Sequence, residues 1–317
     1  MLTLPALVPL VRSGFFVSDD GLIHVYRLAA LDRAVRAGVA LPRWFPNFAF
    51  GYGHPVLNFY GPLSYYWGLP LTLAGADAAA ALKVVMAAGL VASALGMYLF
   101  ARQHLGRGPA VVAAVIYAYL PYHLVDLYVR GALAEFLAFV WLPLVLWAFG
   151  RLVDDDMGGN SVRVGLAALL LAALILTHSL SAFVIVPVLI LYVVILLARK
   201  GDLRAVGRVV LAAVLALAVS AFHWLPILAE SQYVGLGHGR SQGYMDHLMP
   251  LNRVLSWLPF YPYQEQAGAS RTFPIGIVQF AILVASVALL LKYRARRWLI
   301  FLFLSIALLT LLMLTTT

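Results

Sequence analysis

Long apolar runs separated by short polar segments dominate the chain. A helix that crosses a bilayer needs about 20 mostly apolar residues. Runs near 1–17, 77–101, 109–125, 132–150, 164–181, 182–198, 207–228, 274–291 and 298–315 approach or exceed that length, and they predict about nine transmembrane helices. The first run is short, carries Arg12 and has no basic stretch before it, so it does not read as a signal peptide. Only Thr177-His178-Ser179 divides the fifth run from the sixth, which predicts a tight turn there. The chain ends soon after the apolar run Leu311-Leu312-Met313-Leu314, as expected if a longer protein continues past it.

Composition agrees with the pattern. Hydrophobic residues make up 63% of the chain and charged residues 11%, against about a quarter charged in a soluble domain. A soluble fold of this length buries at most about 75% of its surface, too little to hide so many apolar side chains. The fold class is therefore an all-α polytopic membrane protein, one transmembrane domain over 1–317. With no cysteine there is no disulfide or thiolate metal site, and the redox compartment cannot be read.

The net charge of +9 is better explained by membrane orientation than by nucleic acid. The short loops 102–108, 151–163, 199–208 and 292–297 hold 12 Lys/Arg in 36 residues, whereas segments 12–76, 122–131 and 229–273 hold 9 in 120. Basic short loops face the cytoplasm. This orientation puts a long loop, 18–76, and a second large loop, 229–273, outside. Seven of the eight histidines, all but His104, then fall on or near the outer side.

The first outer loop is organised. Asp19 and Asp20 offer helix caps and Gly38 a stop, so 20–37 predicts one helix. Segment 42–70 follows, rich in Gly, Pro and aromatic residues including Tyr60, and suits the headgroup zone.

Several polar groups could carry chemistry. Asp20, His24 and Arg27 are spaced to share one helix face, where a carboxylate, an imidazole and a guanidinium can move a proton, hold a divalent cation or bind a phosphate. Their simpler role is a cap and a surface ion pair. Asp126, Arg130 and Glu135 lie in and after the second outer loop; Glu135 falls in the first turn of a span, which the helix dipole favours, but ionisable groups at membrane depth are usually functional. His178 sits in a hairpin turn, His223 and Glu230 at the outer end of another span. His54 is read as loop-shaping. Trp-Leu-Pro at 141, 224 and 257 predicts kinks and interfacial anchors. No phosphate-binding glycine loop and no HExxH is present.

In order along the chain, SDDGLIHVYR, LPRWFPNFAFGYGHPVLNFYGPLSYY, YAYLPYHLVDLYVRGALAEFLAFVWLP, LTHSLSAF and SAFHWLPILAES resemble the 6-pyruvoyl-tetrahydropterin synthase-related integral membrane family, from about residue 14 to 235. Nothing resembles the soluble zinc synthase itself. The family in turn looks like a branch of the GT-C glycosyltransferases, which take a sugar from a polyprenyl-phosphate carrier. That resemblance implies a catalytic acidic residue just after the first span, matched by Asp20 with Asp19 beside it, and a second acidic residue in Glu135 or Asp126. It implies a GT-C-like fold in the cell membrane, with its active face outward. His24, Arg27, Arg130, His178, Tyr60 and His223 would contact substrate, and Asp20, His24 and Glu135 are the candidates for holding a divalent cation. Two rival readings are a transporter of lipid-linked saccharides or small solutes, for which no inverted repeat is visible, and a non-catalytic membrane assembly protein.

Overall fold

The computed structural model describes residues 2–154, 161–233 and 277–292. Among them the regular structure is helical, apart from a single antiparallel bridge between Phe45 and His54. Eight longer helices organise the chain: α1 (Gly21–Arg36), α2 (Ala78–Leu105), α3 (Arg107–Ala118), α4 (Leu133–Val153), α5 (Ser161–Thr177), α6 (Ser179–Lys200), α7 (Leu203–Glu230) and α8 (Ile277–Lys292).

Four of these, α2, α4, α6 and α7, are long and apolar enough to cross a membrane. A fifth candidate is a broken one. It runs through α3, stops at Tyr119, and resumes over Pro121–Val125 into one π-helical turn, Asp126–Arg130, bent by 43°. The segment 122–131, read from sequence as a loop, is thus mostly helical. Nine spans exceed the four or five found among the described residues. At 17 residues, α5 reaches only about 26 Å, short of a hydrocarbon core of about 30 Å. The run 1–17 forms two four-residue turns, Leu4–Leu7 and Val8–Val11, instead of a span. Its prolines, Pro5 and Pro9, are each the second residue of a turn, within the first helical turn where a missing N–H costs nothing. Of run 274–291, α8 is described; run 298–315 and most of segment 229–273 lie outside the described residues.

Two apolar cores hold the bundle. One joins α1, the segment 45–69, α2 and the start of α4 around Leu28, Tyr65, Met86 and Phe136. The other joins α4 to α5, α6 and α7 around Phe149, Leu171 and Tyr192. Many side chains of α6 and α7 remain exposed, including Phe183, Ile190, Leu217 and Leu228, which suits helices bathed in lipid.

Prolines inside spans leave the carbonyl four residues earlier without its helical donor. Two such carbonyls find donors elsewhere in the fold. Pro143 frees Phe139, whose oxygen accepts from the Tyr117 hydroxyl at 2.9 Å; Pro226 frees Phe222, whose oxygen accepts from Arg43 at 3.2 Å. The Trp-Leu-Pro repeats at 141 and 224 therefore act as tie points as well as kinks.

Candidate functional site

Asp19 and Asp20 precede α1, and their backbone amides donate to the carbonyls of Val129 and Arg130 at 3.0 and 2.8 Å. The two stretches lie side by side because Gly131 permits it. Gly131 adopts a left-handed φ of +64°, and a Cβ there would stand 2.6 Å from the Ser18 hydroxyl and 2.9 Å from the Gly21 nitrogen. Residues 20 and 130 are thus joined through the main chain.

Asp20 occupies the N-cap position of α1 but makes no side-chain cap bond. Its carboxylate is exposed and interacts electrostatically with Tyr60, Tyr65 and Asp126. The side chain is therefore not committed to capping.

His24 is buried and structurally committed. Its Nδ1 lies 2.8 Å from the Tyr65 hydroxyl, and its Nε2 accepts from the Leu133 amide at 3.4 Å. Accepting at Nε2 places the proton on Nδ1, which donates to Tyr65. Burial, and then the charge of Arg27, hold its pKa down to about 3, so the ring is neutral at physiological pH. Tyr60 works alongside it: its hydroxyl bonds to the backbone of Ala134, and burial pushes its pKa up to about 12. No side chain of α4's own N-cap, Ala132, satisfies the first amides of that helix. His24 and Tyr60 do so from other elements, which answers the requirement that free helix-end amides find partners.

Arg27 is held by aromatic groups. Its guanidinium lies 4.7 Å from the Tyr60 ring centre and donates to the Tyr65 hydroxyl at 3.2 Å. Among the described residues no carboxylate pairs with it.

Arg130 is different. It donates to Asp126 at 2.6 Å, to Glu135 at 2.7 Å and to the Tyr122 hydroxyl at 2.8 Å, and Tyr122 donates to Glu135 at 2.5 Å. The Asp126 side chain is fully buried, and its second oxygen has no hydrogen-bond partner among the described residues. Tyr122, Asp126 and Arg130 recur every four residues and so share one helical face, a spacing that could have revealed the cluster. His178 adjoins it electrostatically through Glu135 and Arg130, while its Nδ1 takes the Ser181 amide as the N-cap of α6. His223 lies apart, buried on α7 with Nε2 3.4 Å from the Ser179 hydroxyl.

The proposed ligand set Asp20, His24 and Glu135 does not assemble around one point. Both ring nitrogens of His24 are engaged, and among the described residues no three His, Asp or Glu side chains group to hold a metal ion. The participation of Tyr65 escaped sequence reasoning, since it meets His24 across 41 residues.

Residues 57–317 match the sequence profile of the 6-pyruvoyl-tetrahydropterin synthase related domain, a membrane protein family. The chain belongs to this family. Asp19, Asp20, His24 and Arg27 precede the matched span, while Tyr60, Arg130, Glu135, His178 and His223 lie within it. An uncharacterized protein of Lactococcus lactis subsp. cremoris (strain MG1363) is 22% identical over 236 residues, 72% of this chain and 38% of that protein. The family member described here thus spans little more than a third of that relative's length. No solved structure matches the chain.

Proposed function

We propose that this family member is a GT-C-like membrane glycosyltransferase that moves a sugar from a polyprenyl-phosphate carrier to a hydroxyl-bearing acceptor, working on the non-cytoplasmic face of the cell membrane. The observation that carries this reading is the pairing on α1 of an exposed, uncapping carboxylate, Asp20, with Arg27, a cation seated on tyrosines and with no carboxylate partner among the described residues. Seven residues separate them, about 10 Å along a helix. That distance leaves room for a sugar ring between a base and a phosphate.

In this mechanism Asp20 takes the proton from the acceptor hydroxyl as its oxygen attacks the anomeric carbon. The bond from that carbon to the phosphate oxygen breaks, and the electron pair leaves on the polyprenyl phosphate. Arg27 offsets the charge on that phosphate, because a guanidinium suits paired phosphate oxygens. Arg130, already bonded to two carboxylates, holds the frame. Glu135 keeps Arg130 in place, and His24 and Tyr60 fix the start of α4.

The test is sugar transfer in proteoliposomes containing polyprenyl-phosphate sugars. Replacing Asp20 by Asn removes the basicity and keeps the size. It should lower turnover by about 10²-fold or more, the scale of a lost general base. Asp19→Asn should retain turnover. Equal, wild-type turnover in both variants would sink the assignment of Asp20.

A further inference from the structure

The strip 56–66 has two polar sides. Tyr60 and Tyr65 face α1, where Arg27 and His24 meet them. Asn58 and Tyr66 look the other way. On that side a cleft of about 100 Å³ opens between residues 41–43, the strip and α7, lined by Arg43, Asn58, Pro62, Tyr66, Phe222 and His223, among others. A single water needs about 10–15 Å³ of such space, so several fit.

The cleft is built, not incidental. Pro226 frees the Phe222 carbonyl, and Arg43 crosses to it. Asn58, 5% exposed, donates its amide to Glu230 at 2.5 Å. His223, 3% exposed, makes one long contact to Ser179 at 3.4 Å, and no other hydrogen bond to its ring is found among the described residues. Burying an imidazole with so little compensation is costly unless a ligand or water completes it.

We infer that this cleft is a second binding site, separate from Asp20, and that it takes a saccharide. A sugar ring offers hydroxyls that both donate and accept, and a C–H face that packs on apolar surfaces. The cleft supplies donors in Arg43 and in Asn58, which Glu230 orients from behind, an imidazole that can donate or accept, and flat apolar surfaces in Pro62, Tyr66 and Phe222. Its charges are one guanidinium and one carboxylate behind Asn58, which match a neutral polyol better than a phosphate. In the transferase reading, on which this last step rests, the occupant is a sugar unit of the acceptor other than the one whose hydroxyl reaches Asp20, because the aromatic strip separates the cleft from Arg27.

The probes are methyl α-D-glucopyranoside and methyl α-D-mannopyranoside, offered to the full chain in nanodiscs free of glycoside detergents and read by saturation-transfer NMR. At least one should bind. Glu230→Gln should weaken binding about tenfold, because Asn58 loses the charged partner that orients it, a bond of that scale, and His223→Phe should abolish it. Asp20→Asn should leave it unchanged. Binding of neither glycoside to the wild type, or equal binding to folded Glu230→Gln, overturns the site. So does displacement of the glycoside by inorganic phosphate, because the site would then be anionic in preference. Should His223→Phe not fold, Glu230→Gln decides. Glycoside binding without any sugar transfer would keep this site and remove the transferase reading. Transfer whose acceptor KM is unmoved by Glu230→Gln would do the reverse.

Discussion

The amide of Asp20 and the carbonyl of Arg130 are joined at 2.8 Å across 110 positions of sequence. This bond puts the carboxylate proposed as base beside a part-buried cluster in which Arg130 is shared by two carboxylates. Because the join is main chain to main chain, the side chains on either side can be exchanged without undoing it, provided that the small residues at the crossing stay small.

Gly131 is the first such residue. Gly131→Ala should destabilise the protein by about 2 kcal/mol or more, from a left-handed backbone and a forced separation of α1 from the π-helical turn. A thermal melt in detergent reads the loss directly. An unchanged Tm would mean that the two stretches do not approach as closely as described.

Gly61 and Gly165 make a matched pair. A Cβ on Gly61 would stand 1.8 Å from the Thr177 carbonyl, whereas at Gly165, inside α5, it would meet nothing within 4 Å. Gly61→Ala should prevent the strip from docking and expose it to protease. Gly165→Ala should be neutral or stabilising by up to about 1 kcal/mol, since alanine is the better helix former. Limited proteolysis of both variants checks the contrast, and equal resistance would refute it.

The two arginines should fail in different ways. Arg27→Ala should fold normally and raise KM for the lipid-phosphate donor about tenfold or more. Arg130→Ala leaves a fully buried Asp126 without its partner, a loss of about 3–5 kcal/mol. It should therefore express poorly, and Arg130→Ala combined with Asp126→Ala should recover stability. If Arg130→Ala folded like wild type while only donor binding weakened, the phosphate role would belong to Arg130.

His24 makes stability depend on pH. Its pKa is about 3 in the fold and 6.5 ordinarily, so between those values the unfolded chain binds the extra proton. Its contribution is complete above pH 6.5 and shrinks as pH falls through that window, by about 2 kcal/mol at pH 5. His24→Gln should flatten the difference in Tm between pH 7.5 and pH 5 relative to wild type. An unaltered pH dependence would show that the ring is not held neutral.

Orientation can be tested with single thiols, since the chain contains no cysteine. Phe50→Cys sits at a fully exposed turn tip, and Arg107→Cys begins α3. An impermeant reagent applied outside intact cells should label the first and spare the second. The opposite labelling would reverse the orientation inferred from basic residues.

What the sequence disclosed follows physical range. Helix α1 was legible because an aspartate at the N-cap position, Asp20, and a stop at Gly38 are local signals, even though the Asp20 side chain makes no cap bond, and the long apolar spans because length is local too. The run 1–17 misled because apolar content hides the effect of two prolines. The broken span misled in the opposite sense: Asp126 and Arg130 make 122–131 look like a loop, yet their charges cancel each other inside it. The grouping of Asp126, Arg130 and Glu135 was legible because the three lie close together in sequence. That Tyr65 receives His24, or that Asn58 receives Glu230, was not, since those pairs span 41 and 172 positions with no periodic signal between.

Those separations also set an order of assembly. The strip 56–66 leaves the ribosome well before its partners: Ser64 bonds to Thr177, Asn58 to Glu230, and neighbouring Arg43 to Phe222, at separations of 113, 172 and 179 residues. At about 5–20 residues per second, synthesis of α7 follows the strip by about ten to thirty seconds. Throughout that interval the aromatic segment lacks its partners on α5 and α7. The contacts it can make at once are with α1, already beside it. The side carrying Asp20 and Arg27 is thus ready first, and the α7 side closes last, so a chain stalled before α7 would carry one finished wall and one bare one.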